Sequence, residues 1–322
     1  MTTSEARRAA TENQAANEKR PDLVICGLDA SAWSHNAADW AASEAVRRHA
    51  TLELLHAYEV VNPFTYGGAV PAVGYPGYIP DEPGLGKALH AEGLALLERV
   101  GEELRRSHPG LSVRTRLVQG DPVTALRIES GRAGLTVLGS HGTGRVASMI
   151  LGSVALSIAA HNPAPVALIH PDQTASGSGP VVVGVDESPN SEAAVAFAFE
   201  EAALRRTNLV AVHSWNDSSL DMNSPDYPVL IDAGTIEQEQ RVQLARYLAQ
   251  WRKKYPQVPV EQAVVHGRPM RALLEHGLQA QLVVVGTHGR GAFLGVVLGS
   301  TSQSLIAHSA CPVVVVSPGS PD

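Results

Sequence analysis

Sulfur and aromatic rings are scarce in this 322-residue chain. Its two cysteines, Cys26 and Cys311, lack CxxC spacing, which excludes both a disulfide framework and a cysteine zinc cluster. Each lies in or beside a Val/Ile-rich run and reads as a small buried hydrophobe. Aromatics make up only 5% of the chain against 44% hydrophobic residues, so any core must be built from Val, Leu and Ala. An excess of basic charge is missing as well. The net charge is −7, which argues against a dedicated nucleic-acid binder, with its basic patch or stripe, and against steering towards anionic membranes. No apolar run approaches the ~20 residues needed to cross a bilayer. Arg7 and Arg8 are followed by no apolar segment, so an export signal is not expected and the chain is placed in the cytoplasm. Residues 1–20, polar and rich in Ala, Glu and Arg, read as a disordered tail.

What the chain does have is a copy of itself. Leu23-Val24-Ile25-Cys26-Gly27-Leu28-Asp29 resembles Val181-Val182-Val183-Gly184-Val185-Asp186, and Ser31 matches Ser188. His56 and His213 each close an apolar run, at the same offset of 157. Gly120-Asp121-Pro122 then matches Gly267-Arg268-Pro269, Gly139-Ser140-His141-Gly142 matches Gly286-Thr287-His288-Gly289, and Gly152-Ser153 matches Gly299-Ser300, all at 147. The register slips once, where copy one carries a longer Gly/Pro/Tyr-rich loop over 62–86. That loop is a candidate cover for the first site or a partner contact, and equally a variable surface loop.

Each copy alternates strand and helix. Apolar runs of strand length fall near 22–29, 51–57, 112–118, 135–139 and 165–170 in copy one. Between them, Ala37, Ala38, Ala41, Ala42, Ala45 and Val46 make one apolar helical face, and 84–107 is a longer amphipathic helix. A third helix opens with Pro122 in its first turn, and a fourth at Gly152-Ser153. Strands alternating with helices require parallel neighbours and right-handed crossovers. The expected fold is therefore α/β: two tandem doubly wound domains, each a five-stranded parallel sheet with helices on both faces. The boundaries read as 21–172 and 180–322, joined by a Ser/Gly-rich linker over 173–179.

In such sheets ligands bind beyond the carboxyl ends of the strands. There, in copy one, Gly139 ends strand 4, Gly142 follows, and Gly152-Ser153 opens helix 4; Gly286, Gly289, Gly299 and Ser300 repeat the spacing. Glycine lets another group approach the backbone closely, and successive N–H groups beside a helix N-terminus make an anion site. The hydroxyls of Ser153 and Ser300 are expected both to cap their helices and to reach a phosphate oxygen. Asp29 and Asp186 end strand 1 at the same edge. Turn and cap chemistry alone would also place glycines here, and duplication would copy it.

The pattern of Gly, two residues, Gly, nine residues, Gly, Ser resembles the ATP-binding motif of the universal stress protein family. So do Val183-Gly184-Val185-Asp186-Glu187-Ser188 and the strand-2 runs ending in His56 and His213. The resemblance runs from about residue 21 to near the end and implies a tandem two-domain member with the Rossmann-like fold of the adenine nucleotide α-hydrolase type. It implies ATP as ligand, accompanied where needed by Mg2+ on the phosphates. Adenine and ribose would lie near Asp29 with Ala57, and near Asp186 with Ser214. The triphosphate would lie on Gly139, Gly142, Gly152 and Ser153, or on Gly286, Gly289, Gly299 and Ser300, with Ser302 as a second hydroxyl. Copy one departs from the pattern, with Ala155 in place of that hydroxyl and Gly134-Leu135-Thr136 where the family favours an Asp. Arg145 and Arg290 could pair with phosphate or simply face solvent. In the family the last strands often meet across a dimer axis; here Val166–His170 and Val313–Val316 could meet within one chain, with pairing of two chains left open.

Other chemistries find no footing. There is no GxxxxGK[ST] loop. Gly142-Thr143-Gly144-Arg145-Val146-Ala147 mimics a dinucleotide fingerprint but follows strand 4 rather than strand 1. His141 and His288 lack the companions of a metal site, and His161 and His308 read as helix-closing residues. The resulting expectation is a nucleotide-binding stress regulator with little or no turnover. A slow ATPase or other ATP-using enzyme, and a scaffold whose glycines are only structural, are the alternatives.

Overall fold

The computed structural model describes residues 20–60, 84–141, 152–170, 178–215, 233–289 and 298–318. Residues 1–19 of the tail, Gly142, Arg145, Arg290 and all but the last residues of the 62–86 loop lie outside them, while Arg20, expected in the tail, opens the first strand.

Each copy is βαβαβαβαβ. Copy one runs β1 (Arg20–Leu28), α1 (Ala32–Arg48), β2 (Thr51–Tyr58), α2 (Leu85–Ser107), β3 (Val113–Gln119), α3 (Pro122–Ser130), β4 (Ala133–Gly139), α4 (Ser153–His161) and β5 (Val166–Ile169). Copy two runs β6 (Val181–Val185), α5 (Pro189–Arg205), β7 (Leu209–Trp215), α6 (Ala233–Lys254), β8 (Val260–His266), α7 (Pro269–Gly277), β9 (Leu282–Gly286), α8 (Ser300–His308) and β10 (Val313–Val316). Ser31 and Ser188 cap α1 and α5, each accepting from the N–H three residues on, Ser34 and Ser191.

The ten strands form one sheet in the order β3-β2-β1-β4-β5-β10-β9-β6-β7-β8. All pairings are parallel except at the centre, where β5 and β10 run antiparallel with Ala167 opposite Val314. The two copies are thus joined edge to edge within one chain, and each hides the other's last strand. Reversal at this seam also sends the carboxyl ends of the two copies to opposite edges of the sheet.

Both faces of the sheet are covered, which is why its strands read as unbroken apolar runs. Alternation divides them: Val24, Cys26 and Leu28 pack with the alanines of α1, Leu96 and Leu97 of α2, and Leu244 and Leu248 of α6. Leu23 and Ile25 pack on the other side with Leu126, Ile158, Leu273 and Leu305. Both cysteines are free and buried. Val46, expected on the apolar face of α1, is exposed, while Glu44 of the same helix is fully buried.

Glu44 is buried because of the second copy. Glu44 and Arg48 on α1 recur as Glu201 and Arg205 on α5, and the four side chains form a ring across the seam. Arg48 bonds Glu44 at 2.9 Å and also Glu201; Arg205 bonds Glu201 at 2.8 Å and Glu44 at 2.7 Å. The guanidinium of Arg48 lies over Phe197 and that of Arg205 over Trp40, again residues at equal offset. Burial opposes the Glu44 charge, but Arg205, Arg48 and Arg47 together hold its carboxyl below the ordinary carboxylate value. Burial likewise opposes the Arg48 charge, and Glu201 and Glu44 outweigh it.

Candidate functional site

At the carboxyl edge of copy two, β6 ends at Val185 and the chain turns through Asp186-Glu187-Ser188 into α5. The Ser188 N–H and hydroxyl both donate to Asp186 Oδ1, at 3.0 and 2.6 Å. Copy one repeats this with Ser31 on Asp29 Oδ1, at 3.1 and 2.5 Å. The central residue of each turn is left-handed without being glycine: Ala30 has φ 64° and Glu187 φ 60°. Such a conformation costs about 1–3 kcal/mol for an L-residue and persists only where its surroundings impose it. The chain imposes it twice, each time aiming a carboxylate over the strand ends. No glycine marks these turns, so the sequence carries no signal for them beyond the shared Asp-x-Ser.

The strand-2 histidines tie the edge together. The Nδ1–H of His56 donates to the Leu28 carbonyl at 2.7 Å, and that of His213 to the Val185 carbonyl at 2.9 Å, fixing the strand-1 end beside strand 2. In copy two the other ring nitrogen bonds the Gln240 side chain of α6 at 2.9 Å. Ala57 and Ser214 come next along their strands. Ser214 donates its hydroxyl to the Gly267 carbonyl at 2.5 Å, so that hydroxyl is already engaged. Gly120 and Gly267, with φ 146° and 125°, turn the chain sharply after β3 and β8, a conformation reserved for glycine.

The glycines divide into two kinds. A Cβ on Gly139 would lie 3.0 Å from the Trp33 carbonyl carbon, and one on Gly286 would lie 2.8 Å from Asn190 Cβ. These two are demanded by the approach of α1 and α5 to the sheet, whatever else they do. Gly289 differs: its Cβ would lie 2.7 Å from Asp186 Oδ2. The turn after β9 therefore meets the strand-1 carboxylate. Adding a side chain at Gly289 displaces the Asp186 carboxylate as well as obstructing the turn, so it does not act on phosphate approach alone.

The serines require a correction. Helices α4 and α8 begin at Ser153 and Ser300, whose N-caps are Gly152 and Gly299, with no side-chain cap. The serines occupy the first helical position, exposed, with their hydroxyls left to solvent or ligand rather than to capping. Backbone bonds close each turn on itself instead: Gly152 N–H donates to Ser140 O at 2.9 Å and Gly299 N–H to Thr287 O at 2.8 Å. Ser302 is buried and donates to the Gly286 carbonyl at 2.9 Å.

Residues that break the repeat mark a difference between the two edges. In copy two, Thr287 bonds Asn190 at 3.1 Å. In copy one the same places hold Ser140 and Trp33. The Trp33 ring stacks on His141 at 4.3 Å, and His141 meets His170 edge-on at 5.4 Å. Burial and, secondarily, His170 hold His141 below its ordinary value. His170 Nε2–H donates to the Ile306 carbonyl in the last turn of α8, at 2.5 Å. Among the described residues no three His, Cys, Asp or Glu converge as a metal site, and no helix is long and apolar enough to cross a membrane.

The universal stress protein family profile matches residues 21–170 and again 178–317. The chain belongs to the universal stress protein family. Universal stress protein Rv2005c of Mycobacterium tuberculosis is 39% identical over 298 residues, covering 91% of this chain and 96% of the relative. A universal stress protein of Mycolicibacterium smegmatis is 35% identical over 300 residues, 92% of this chain and 97% of its own. Among solved structures, a universal stress protein from Archaeoglobus fulgidus superimposes with a TM-score of 0.67 over 93% of this chain and 100% of its own. At 18% identity that likeness speaks for the shared universal stress protein fold. The first match ends at residue 170 and the second begins at 178.

Proposed function

We propose that this universal stress protein binds an adenine nucleotide, with ATP as the ligand, at the carboxyl edge of each copy and acts as a regulator with little or no turnover. The observation that carries the reading is the meeting of Asp186 with the Gly289 turn. A strained turn holds a carboxylate against a glycine at which a side chain would displace it, next to the N-terminus of α8. A carboxylate suits the hydroxyls of a ribose or the amino edge of a base, and the N–H groups opening a nine-residue helix suit phosphate. Asp186, Ser214, Gly286, Gly289, Gly299, Ser300 and Ser302 would form this site, and Asp29, Ala57, Gly139, Gly142, Gly152 and Ser153 its counterpart. Any magnesium would be carried by the phosphates and water. Binding would favour one conformer or partner complex over another, which needs differential affinity and no catalysis.

The scaffold reading has one observation in its favour: Gly139 and Gly286 are fully explained by helix packing. Titration with adenosine, which lacks phosphate, separates the two. Asp29→Ala with Asp186→Ala removes a charge-assisted contact worth about 1.5–3 kcal/mol, so adenosine and ATP should both bind about 10- to 100-fold more weakly. Unchanged adenosine affinity in the double variant would remove the aspartates from the site.

A further inference from the structure

The antiparallel seam places the two edges far apart, yet one helix belongs to both. The N-terminus of α8 opens the second copy's site at Gly299-Ser300, and its last turn ends at the first copy's edge, where Ile306 accepts from His170. The Ile306 carbonyl is one of the last four of its helix, which have no partner within the helix and so are open to an outside donor.

From the first site the contacts are continuous. Gly152, the N-cap of α4, donates to the Ser140 carbonyl. The Ser140 hydroxyl is hydrogen-bonded to His141 Nδ1 at 3.0 Å. His141 stacks on Trp33 and meets the edge of His170, whose ring also lies 6.2 Å from Trp33. His170 holds α8, and Gly299 at the far end of α8 donates to Thr287, the second copy's equivalent of Ser140. A nine-residue helix is stiff and about 13 Å long at roughly 1.5 Å per residue. A displacement at one end therefore reaches the other. The reverse route is not duplicated: Ser317 stands where copy one has His170, Asn190 where it has Trp33, and among the described residues no hydrogen bond joins Ser317 to copy one.

We propose that His170 is a positioning residue that couples the two sites: occupancy of the first site at Gly139 and Gly152 is passed through His141 and His170 to α8, and so changes the second site at Gly299 and Ser300. The proposal rests on the nucleotide reading above. Coupling of this kind is reciprocal, so ATP at the second site must alter the first by the same factor.

The test uses the full chain carrying Asp186→Ala, which weakens the second site. ATP binding at the first site is measured by calorimetry, and hydrogen exchange is followed in the peptide covering α8. The expected result is at least a twofold change in exchange across the first turn of α8 when ATP fills the first site. His170→Ala should abolish that change while first-site affinity stays within threefold, and His170→Gln, which keeps a donor, should restore it. Bound ATP with unaltered α8 exchange, or a response that survives His170→Ala, overturns the coupling and leaves the nucleotide reading intact. Absence of any binding heat in the unaltered protein overturns the nucleotide reading and the coupling with it.

Discussion

Replacing Glu44 by Gln tests what holds the two copies together. The side chain keeps its size but loses its charge at a position with 0% exposure. Arg48 and Arg205, themselves 8% and 4% exposed, then share Glu201, with the exposed Glu200 a further partner 3.5 Å from Arg48, so the buried ring is left with an excess of positive charge. Removing one partner of a buried pair costs about 3–5 kcal/mol, against about 0–1 kcal/mol for a solvent-exposed pair. Because Glu201 still serves both guanidinium groups, the lower end applies, about 3 kcal/mol. Urea denaturation at neutral pH measures it directly. The two acids are not equivalent: Arg47 also pairs with Glu44, where copy two has Leu204, and burial with the Glu44 charge pushes the Glu201 carboxyl above its ordinary value, so Glu201→Gln should cost less than Glu44→Gln. The pH dependence has a fixed sign. The folded Glu44 carboxyl lies below its ordinary 4.5, so its contribution is present above that value and is lost as pH falls through the lowered one. A loss of less than about 1 kcal/mol in Glu44→Gln would mean the ring is screened like a surface pair and does not bind the copies together.

Two further predictions follow from single side chains. Thr136 is fully buried in β4 with its hydroxyl unpartnered, and copy two carries Val283 at the same register. Thr136→Val should therefore stabilise the protein by about 1 kcal/mol or more, read as a rise in urea midpoint; a loss of stability would show that the hydroxyl has a role. His141 is held below its ordinary 6.5 in the folded chain, so the unfolded chain takes up a proton first as pH falls. Its contribution is full above 6.5 and is lost as pH falls from there towards the lowered folded value. His141→Gln should flatten stability between roughly pH 7 and 5, and an unchanged slope would assign it to other groups.

The repeat made most of the fold legible. Two passes of the same strand–helix alternation, with runs such as Val181-Val182-Val183 and Val313-Val314-Val315-Val316, leave little choice but parallel strands buried on both faces. The carboxylates of Asp29 and Asp186 could also be placed at the strand ends from spacing alone. What could not be read depends on neighbours distant in sequence. The left-handed Ala30 and Glu187 carry no glycine to announce them. The reason for Gly139 and Gly286 lies in helices more than ninety residues upstream, at Trp33 and Asn190. Val46 counted towards the apolar face of its helix and is exposed, while Glu44 of the same helix is buried among its counterparts in the second copy. A signal for the ring did exist: Glu44, Arg48 and their partners recur at the offset of 157 inside an alanine-rich face, where a duplicated charge is out of place. Trp33 and His170 gave the opposite signal, breaking the repeat where Asn190 and Ser317 stand in the other copy.

The central claim, that this universal stress protein holds adenine nucleotide at both edges of its sheet, is tested most directly by denaturing the purified protein. The nucleotide released per chain is then quantified by chromatography. The account predicts close to two adenine nucleotides per chain, recovered as intact ATP. No released nucleotide, together with no heat on titration with ATP, would contradict it and leave the glycine turns as packing devices of a scaffold.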